Sequence, residues 1–300
     1  MTAKDQPDAG WEAAWLAAER LPPAYAELAA RYFAPLADRL AGLHSECGRP
    51  VLIGVNGSQG SGKSTGCAWL VQALRKEHGL SALALSLDDF YLTRAERAAL
   101  ATTVHPLLAT RGVPGTHDID LLRATLGHLM GQEGTTVVHV PRFDKASDDR
   151  APAGRWDRIE APVSVILLEG WCLGARPQPE EALTEPVNAL EAEEDTDGRW
   201  RHYVNEALRE AFLPLYEAVD CWVMLRAPSF ECVYRWRLEQ EHKLRARAGT
   251  GTAVMSDDEV ARFVQYFERL TRHCLAELPE HMDVIFSLDN DRRIISVEGL

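Results

Sequence analysis

Val51-Leu52-Ile53-Gly54-Val55-Asn56-Gly57-Ser58-Gln59-Gly60-Ser61-Gly62-Lys63-Ser64-Thr65 is the stretch whose reading decides the fold. Its first part, VLIGVN, is uncharged and mostly apolar, the character of a strand buried on both faces. The next eight residues match G-x-x-x-x-G-K-[ST], and a helix is expected from about Ser64. Glycines let such a loop curl until its backbone N–H groups point inward, and the following helix adds a partial positive charge at its N-terminus. The loop is therefore read as a phosphate cradle, with Gly57, Ser58, Gln59, Gly60, Ser61, Gly62, Lys63, Ser64 and Thr65 as the candidate ATP-binding residues. Lys63 is expected to reach the β and γ phosphates, and the Ser64 hydroxyl to face Mg²⁺. The glycine spacing is not the G-x-G-x-x-G of a dinucleotide-binding turn.

Outward from this loop, strand-like and helix-like segments alternate, which favours a mostly parallel sheet with helices on both faces. Ala82 to Leu87, Thr136 to Val140, Val163 to Leu168 and Cys221 to Leu225 read as further strands, with Val284 to Leu288 as an edge strand. The expected architecture is a three-layer α/β sandwich of the P-loop NTPase type, with an N-terminal helical extension and a helical lid.

Trp15, Leu16, Tyr25, Leu28, Tyr32, Phe33, Leu36, Leu40 and Leu43 recur at helical spacing around an interruption at Pro22-Pro23, which predicts two amphipathic helices. Residues 1–48 are thus expected to form an extension packed on a domain of residues 49–300, whose lid falls at about 230–256. The segment from Arg176 to Gly198 holds three prolines and an acidic run, so it reads as a solvated loop. Ser256-Asp-Asp-Glu259 has the spacing of a capping box before an apolar-periodic run through Phe263, Phe267 and Leu270.

The 300 residues carry a formal net charge of -13, which repels nucleic acid and acidic membrane surfaces. No apolar run approaches the roughly 20 residues that span a bilayer, and the first residues have no apolar core behind a basic start. A cytoplasmic protein is expected, its six scattered cysteines reduced and mostly buried.

The companions of the loop narrow the class. No Asn is followed by Lys, so the guanine-reading Asn-Lys-x-Asp element is missing, and no LSGGQ-like signature occurs. Ser86-Leu87-Asp88-Asp89-Phe90-Tyr91 places carboxylates where open α/β sheets bind ligands. A carboxylate there takes a proton from an attacking hydroxyl or helps to hold Mg²⁺, and the residues leave open which of Asp88 and Asp89 does which. Val163 to Leu168 ends in Glu169, an apolar strand stopping at an acid beside the loop, so Ser64, Asp88 and Glu169 are the candidate metal contacts. The segment from Cys232 to Arg247 concentrates basic charge. Arg235 and Arg237 are its candidates for the transferring phosphate, while Glu239-Lys243 and Glu241-Arg245 have the spacing of ordinary helix pairs.

NGSQGSGKST, SLDDFYLT, RGVPGTHD, PRFDKASDDR, LLEGWCLG, CVYRWRLEQEH and MSDDEVARFV together resemble the D-glycerate 3-kinase family, within the wider uridine kinase, phosphoribulokinase and pantothenate kinase group. The resemblance spans about Val51 to Leu288. It implies ATP and Mg²⁺ as co-substrate and cofactor, with Lys63 and Asp88 catalytic and Asp88 acting on the acceptor hydroxyl. It also gives an acceptor side to Asp89, Tyr91, Arg111, His117, Asp118, Arg142, Asp144 and Lys145. Arg111, Arg142 and Lys145 are expected to hold the carboxylate of a small hydroxy acid, Arg by a two-pronged hydrogen bond and Lys as a point charge. Other acceptors (a nucleoside, pantothenate, a sugar acid) and an ATP-hydrolysing regulator without a small acceptor remain the alternatives.

Overall fold

A computed structural model of the chain describes residues 10–132, 134, 136–247 and 255–300. Three helices come first: α1 (Trp11–Glu19), α2 (Ala24–Leu28) and α3 (Ala34–Cys47), the last two continuous through one π-turn at Ala29–Phe33. Strand β1 (Val51–Gly57) leads through the glycine-rich loop into α4 (Lys63–Lys76), and β2 (Ala82–Ser86) precedes α5 (Arg94–Thr103) and α6 (Ile119–Leu129). Four short strands follow, β3 (Val137–Val140), β4 (Phe143–Asp144), β5 (Asp149–Arg150) and β6 (Asp157–Glu160), before β7 (Val165–Gly170). The chain continues as α7 (Ala189–Glu194), α8 (Arg199–Ala207), α9 (Leu213–Tyr216), β8 (Cys221–Arg226), α10 (Phe230–Arg247), α11 (Asp257–Glu277), β9 (Val284–Leu288) and β10 (Ile294–Glu298).

Six strands form one sheet in the order β10-β9-β8-β1-β7-β2, parallel except for β10, which runs antiparallel to β9. β1 is buried at every position because helices cover both faces. Successive side chains of a strand point to opposite faces. Val51, Ile53 and Val55 of β1 accordingly join Val165, Leu167 and Val223 in a core closed by Phe33, Leu36, Leu40, Trp69 and Leu74. Leu52 joins Ile166, Leu168 and Met224 in a second core closed by Leu122, Leu126, Phe212 and Phe267. Gly54 has no side chain for a packing reason: a Cβ there would lie 2.3 Å from the Trp222 ring.

The N-terminal helices share the first core. The Trp11 indole donates to Glu77 at 3.1 Å and the Trp69 indole to Glu12 at 2.9 Å, tying α1 to α4. Phe33 packs edge-on to Phe286 and touches the position of Gly66, so Phe33→Ala is expected to cost about 3–5 kcal/mol through the cavity it leaves. Among the described residues, no helix is long and apolar enough to cross a membrane.

Three local expectations need correction. Val137–Val140 is a strand, but it pairs antiparallel with β6 outside the main sheet. β9 is not the edge, because β10 covers it. The acidic segment before Gly198 is no solvated loop: it contains α7, and Glu191 and Asp195 are fully buried. Arg269 pairs with Glu191 at 2.6 Å and Arg201 with Asp195 at 2.9 Å, neutralising both charges. The cap bonds expected at Ser256 and Glu259 are both present at the start of α11.

Register prepares the site. Glu169 stands opposite Val55 on one side and Ser86 on the other, so the end of β7 lies between the glycine-rich loop and the carboxylates that follow β2.

Candidate active site

Gly60 and Gly62 take φ of 78° and 90°, left-handed values that a residue with a Cβ adopts only under strain. At Gly60 a Cβ would also lie 2.9 Å from the Trp236 Cβ, so α10 packs directly on the loop. Gly62 opens α4 without any side-chain cap. The hydroxyls of Ser58 and Ser61 are buried and have no hydrogen-bond partner in the protein. Around these hydroxyls Gln59, Gly60, Gly62, Lys63, Ser64 and Thr65 line the cavity, and a wall of glycine backbone, an ammonium and hydroxyls at a helix N-terminus suits an anionic occupant. Ser64 Oγ donates to Glu169 Oε1 at 2.8 Å, and Lys63 Nζ stands 3.7 Å from Glu169 Oε2. A hydroxyl and a carboxylate meeting beside a phosphate cradle form an oxygen donor set suited to a hard cation such as Mg²⁺.

Asp88 sits across the cavity from this pair. Tyr91 donates its hydroxyl to Oδ1 at 2.8 Å, and Lys145 Nζ donates to Oδ2 at 2.8 Å. Burial works against the charged form, but Lys145, then Lys63 and Tyr91, outweigh it, and the carboxyl is held below its ordinary value. Asp89 is set differently. Its oxygens accept from Phe143 N at 3.1 Å and Arg142 Nη1 at 2.5 Å, yet burial still pushes its carboxyl up.

The β4-β5 hairpin and the segment between α5 and α6 carry the remaining predicted groups, which the structure sorts. Lys145 at the hairpin turn and Arg111 line the cavity together with Asp88, Asp89 and Tyr91. Arg111 lies over the Phe143 ring at 5.3 Å and pairs with Asp148. Arg142, Asp144, His117 and Asp118 lie outside the lining. Arg142 is held between Asp89 and Asp157. Asp144 accepts from Ala146 N at 3.1 Å and shapes the hairpin turn. Asp118 caps α6 through Leu121 N and receives Arg150 at 2.8 Å. His117 is buried and stacks on Tyr91, with ring centroids 4.5 Å apart. Burial lowers its pKa to about 4, so it is neutral at physiological pH.

α10 and α11 close the far wall. Arg237 lines the cavity, pairs with Glu241 at 2.6 Å and lies 5.6 Å over the Phe263 ring. Arg235 is exposed, points its guanidinium to Cys232 and does not line the cavity. Glu241 therefore pairs with Arg237 and not with Arg245, which goes to Asp257. The side chain of Lys243 and residues 248–254 of the expected lid lie outside the described residues. The space enclosed is about 590 Å³, wide enough for a nucleotide tail and a small acceptor together.

No family model matches the sequence. The chain is 34% identical over 233 residues to an uncharacterised kinase of Schizosaccharomyces pombe, across 73% of this chain and 79% of that protein. It is likewise 34% identical over 226 residues to the chloroplastic D-glycerate 3-kinase of Arabidopsis thaliana, across 73% of this chain but only 46% of that protein. This chain belongs to the D-glycerate 3-kinase-like family of P-loop kinases. The structure of a D-glycerate 3-kinase from Cryptococcus neoformans superposes with a TM-score of 0.74 at 26% identity, over 89% of this chain and 98% of that one. The protein is thus an ATP-dependent small-molecule kinase.

Several parts of this kinase's site carry no local signal in the sequence. Arg292 donates to the Gly60 carbonyl at 3.0 Å and lies 5.2 Å over the Trp236 ring, bracing the glycine-rich loop from 232 residues away. Asp148 takes a left-handed φ of 54° and receives Arg97 as well as Arg111. Phe263 and Phe267, read only as helix periodicity, line the cavity with Trp171 and Gln240. The Phe267 ring stands edge-on to Trp171 at 5.0 Å.

Proposed function

We propose that the kinase transfers the γ-phosphate of MgATP to a hydroxyl of a small hydroxy acid, with D-glycerate as the acceptor. The observation that carries this reading is the placement of two cations, Lys145 paired with Asp88 and Arg111 paired with Asp148, in the lining of the cavity that starts at the glycine-rich loop. A carboxylate brought next to a triphosphate needs such neutralisation, and a guanidinium and an ammonium supply it by different geometries. The names of the Arabidopsis and Cryptococcus relatives agree with this acceptor.

In this mechanism the acceptor oxygen attacks the γ-phosphorus as the bond to the departing ADP oxygen breaks, and Asp88 takes the hydroxyl proton. Lys63 and the loop N–H groups stabilise charge that moves toward the β–γ bridging oxygen. Ser64 and Glu169 would hold Mg²⁺, which when bound adds positive charge beside the phosphates. Tyr91 orients Asp88, and Arg237 faces the transferring group from α10. Helices α1 to α3 of the N-terminal extension serve as a cover on the kinase domain, a reading supported by the core they share with the sheet around Phe33, Leu36 and Leu40.

The test is acceptor-dependent ADP release with D-glycerate, glycerol, uridine and pantothenate at fixed MgATP. D-glycerate should give the highest kcat/KM. A preference for uridine, pantothenate or glycerol would overturn the acid acceptor, and release indifferent to every acceptor would point to a regulatory ATPase.

A further inference from the structure

Both oxygens of Asp88 are engaged, and the two partners differ in their freedom to leave. Tyr91 is 4% exposed, stacked on His117 and edge-on to Phe143 at 5.3 Å, so its hydroxyl is fixed on Oδ1. Lys145 sits at the turn of the β4-β5 hairpin with 63% of its side chain exposed, a long flexible stem held by one ion pair to Oδ2. While that pair stands, Oδ2 is neutralised by an ammonium and is a poor acceptor for another proton.

We propose that Lys145 is an acceptor-operated gate: it masks Asp88 until a bound carboxylate draws its ammonium away and frees Oδ2 to take the acceptor's hydroxyl proton. This rests on the acid-acceptor reading above. An acid offers Lys145 a replacement for the bond it gives up, one charge-assisted hydrogen bond for another. A neutral acceptor or a water molecule offers none, so Asp88 stays masked. Arg111 receives the same carboxylate from the other side, and its bond to Asp148 ties it to the turn that carries Lys145. Discrimination against neutral acceptors thereby falls on the chemical step as well as on binding. The gate also keeps water from being activated beside ATP before the acceptor arrives. In either case the atoms balance in the same way: the attacking oxygen gains the phosphoryl group, its proton passes to Asp88 and then to solvent, and ADP leaves with the electron pair of the broken bond.

The full-length wild type, Lys145→Ala and Lys145→Arg are compared at saturating MgATP with D-glycerate, with glycerol and with no acceptor. Lys145→Ala should raise the KM for D-glycerate by about tenfold while raising kcat with glycerol and acceptor-free ADP release several-fold, a split that loss of a binding group alone does not produce. Lys145→Arg, which keeps a cation on Asp88, should restore low acceptor-free release. Unchanged glycerol turnover and acceptor-free release in Lys145→Ala, with D-glycerate still preferred by the wild type, would overturn the gate and leave the acid-acceptor reading intact. A wild-type preference for glycerol would overturn both.

Discussion

Ser64 and Glu169 meet between two elements far apart in sequence, the hydroxyl on the first turn of α4 and the carboxylate at the end of β7, 2.8 Å from each other. Glu169 is also 3.7 Å from Lys63, so one carboxylate serves both the lysine and the serine that follows it. Glu169→Gln keeps an acceptor for Ser64 and removes the charge. If Glu169 and Ser64 hold Mg²⁺, kcat should fall by roughly 10²-fold, and half-saturation should need more Mg²⁺. Initial rates against Mg²⁺ concentration check this. Wild-type rates with unchanged Mg²⁺ dependence would reduce Glu169 to a hydrogen-bond acceptor.

Neighbouring carboxylates in the sequence turn out to have separate tasks. Asp88 faces Lys145 and Tyr91, whereas Asp89 is spent on Phe143 N and Arg142 and so fastens the hairpin. Asp88→Asn should lower kcat by about 10²-fold or more with little change in the KM for ATP, the usual worth of a general base. Asp89→Asn should keep more activity and show its loss in thermal stability. Steady-state kinetics with a melting curve for each variant decides, and reversed effects would place the base on Asp89.

The phosphate loop, the strand before it and the acids at the ends of β2 and β7 were legible because each is a local pattern: an apolar run followed by glycine punctuation or a carboxylate. The order of strands was not, since pairing of β1 with both β7 and β8 joins segments more than a hundred residues apart. Buried acids defeated local reading for the same reason. Glu191 looks solvated beside its acidic neighbours until Arg269, 78 residues onward, is packed against it. Arg142 and Arg111 look alike as basic residues in loops, and only the positions of Asp157 and Asp148 distinguish them.

His117 carries a stability prediction. Its ring is buried against Tyr91 and Phe212, and burial lowers its pKa from the ordinary 6.5 to about 4. The unfolded chain therefore binds a proton at a pH where the folded protein does not. Stability from this group is complete above about pH 6.5 and is lost as pH falls toward 4, by about 3 kcal/mol in all for a shift of this size. His117→Phe keeps an aromatic partner for Tyr91 and removes the titration. Urea midpoints at pH 7 and pH 4.5 should then converge in the variant relative to the wild type. An equal acid loss in both would mean that His117 is protonated in the folded state at little cost.

Arg111 and Arg142 allow the acceptor reading to be tested against the structure's sorting of the two. Both were expected to contact the substrate carboxylate, but Arg142 is committed to Asp89 and Asp157 and stays out of the cavity lining, whereas Arg111 faces it. Arg111→Ala should raise the KM for D-glycerate by at least about tenfold, the loss of roughly 1.4 kcal/mol of binding, with the KM for ATP little changed. Arg142→Ala should act through Asp89, leaving a largely buried carboxylate without its cation, so its first effect is on stability. The pair is partly exposed, which limits that loss to about 1–2 kcal/mol. Adding Asp89→Asn to Arg142→Ala should return part of it, because the orphaned charge is then gone. Thermal melts of the single and double variants, together with KM values for D-glycerate and ATP, separate the two roles. If Arg142→Ala raised the D-glycerate KM as much as Arg111→Ala does and melted like the wild type, the substrate carboxylate would have to reach Arg142, and the hairpin would have to open from Asp89 when the acceptor binds.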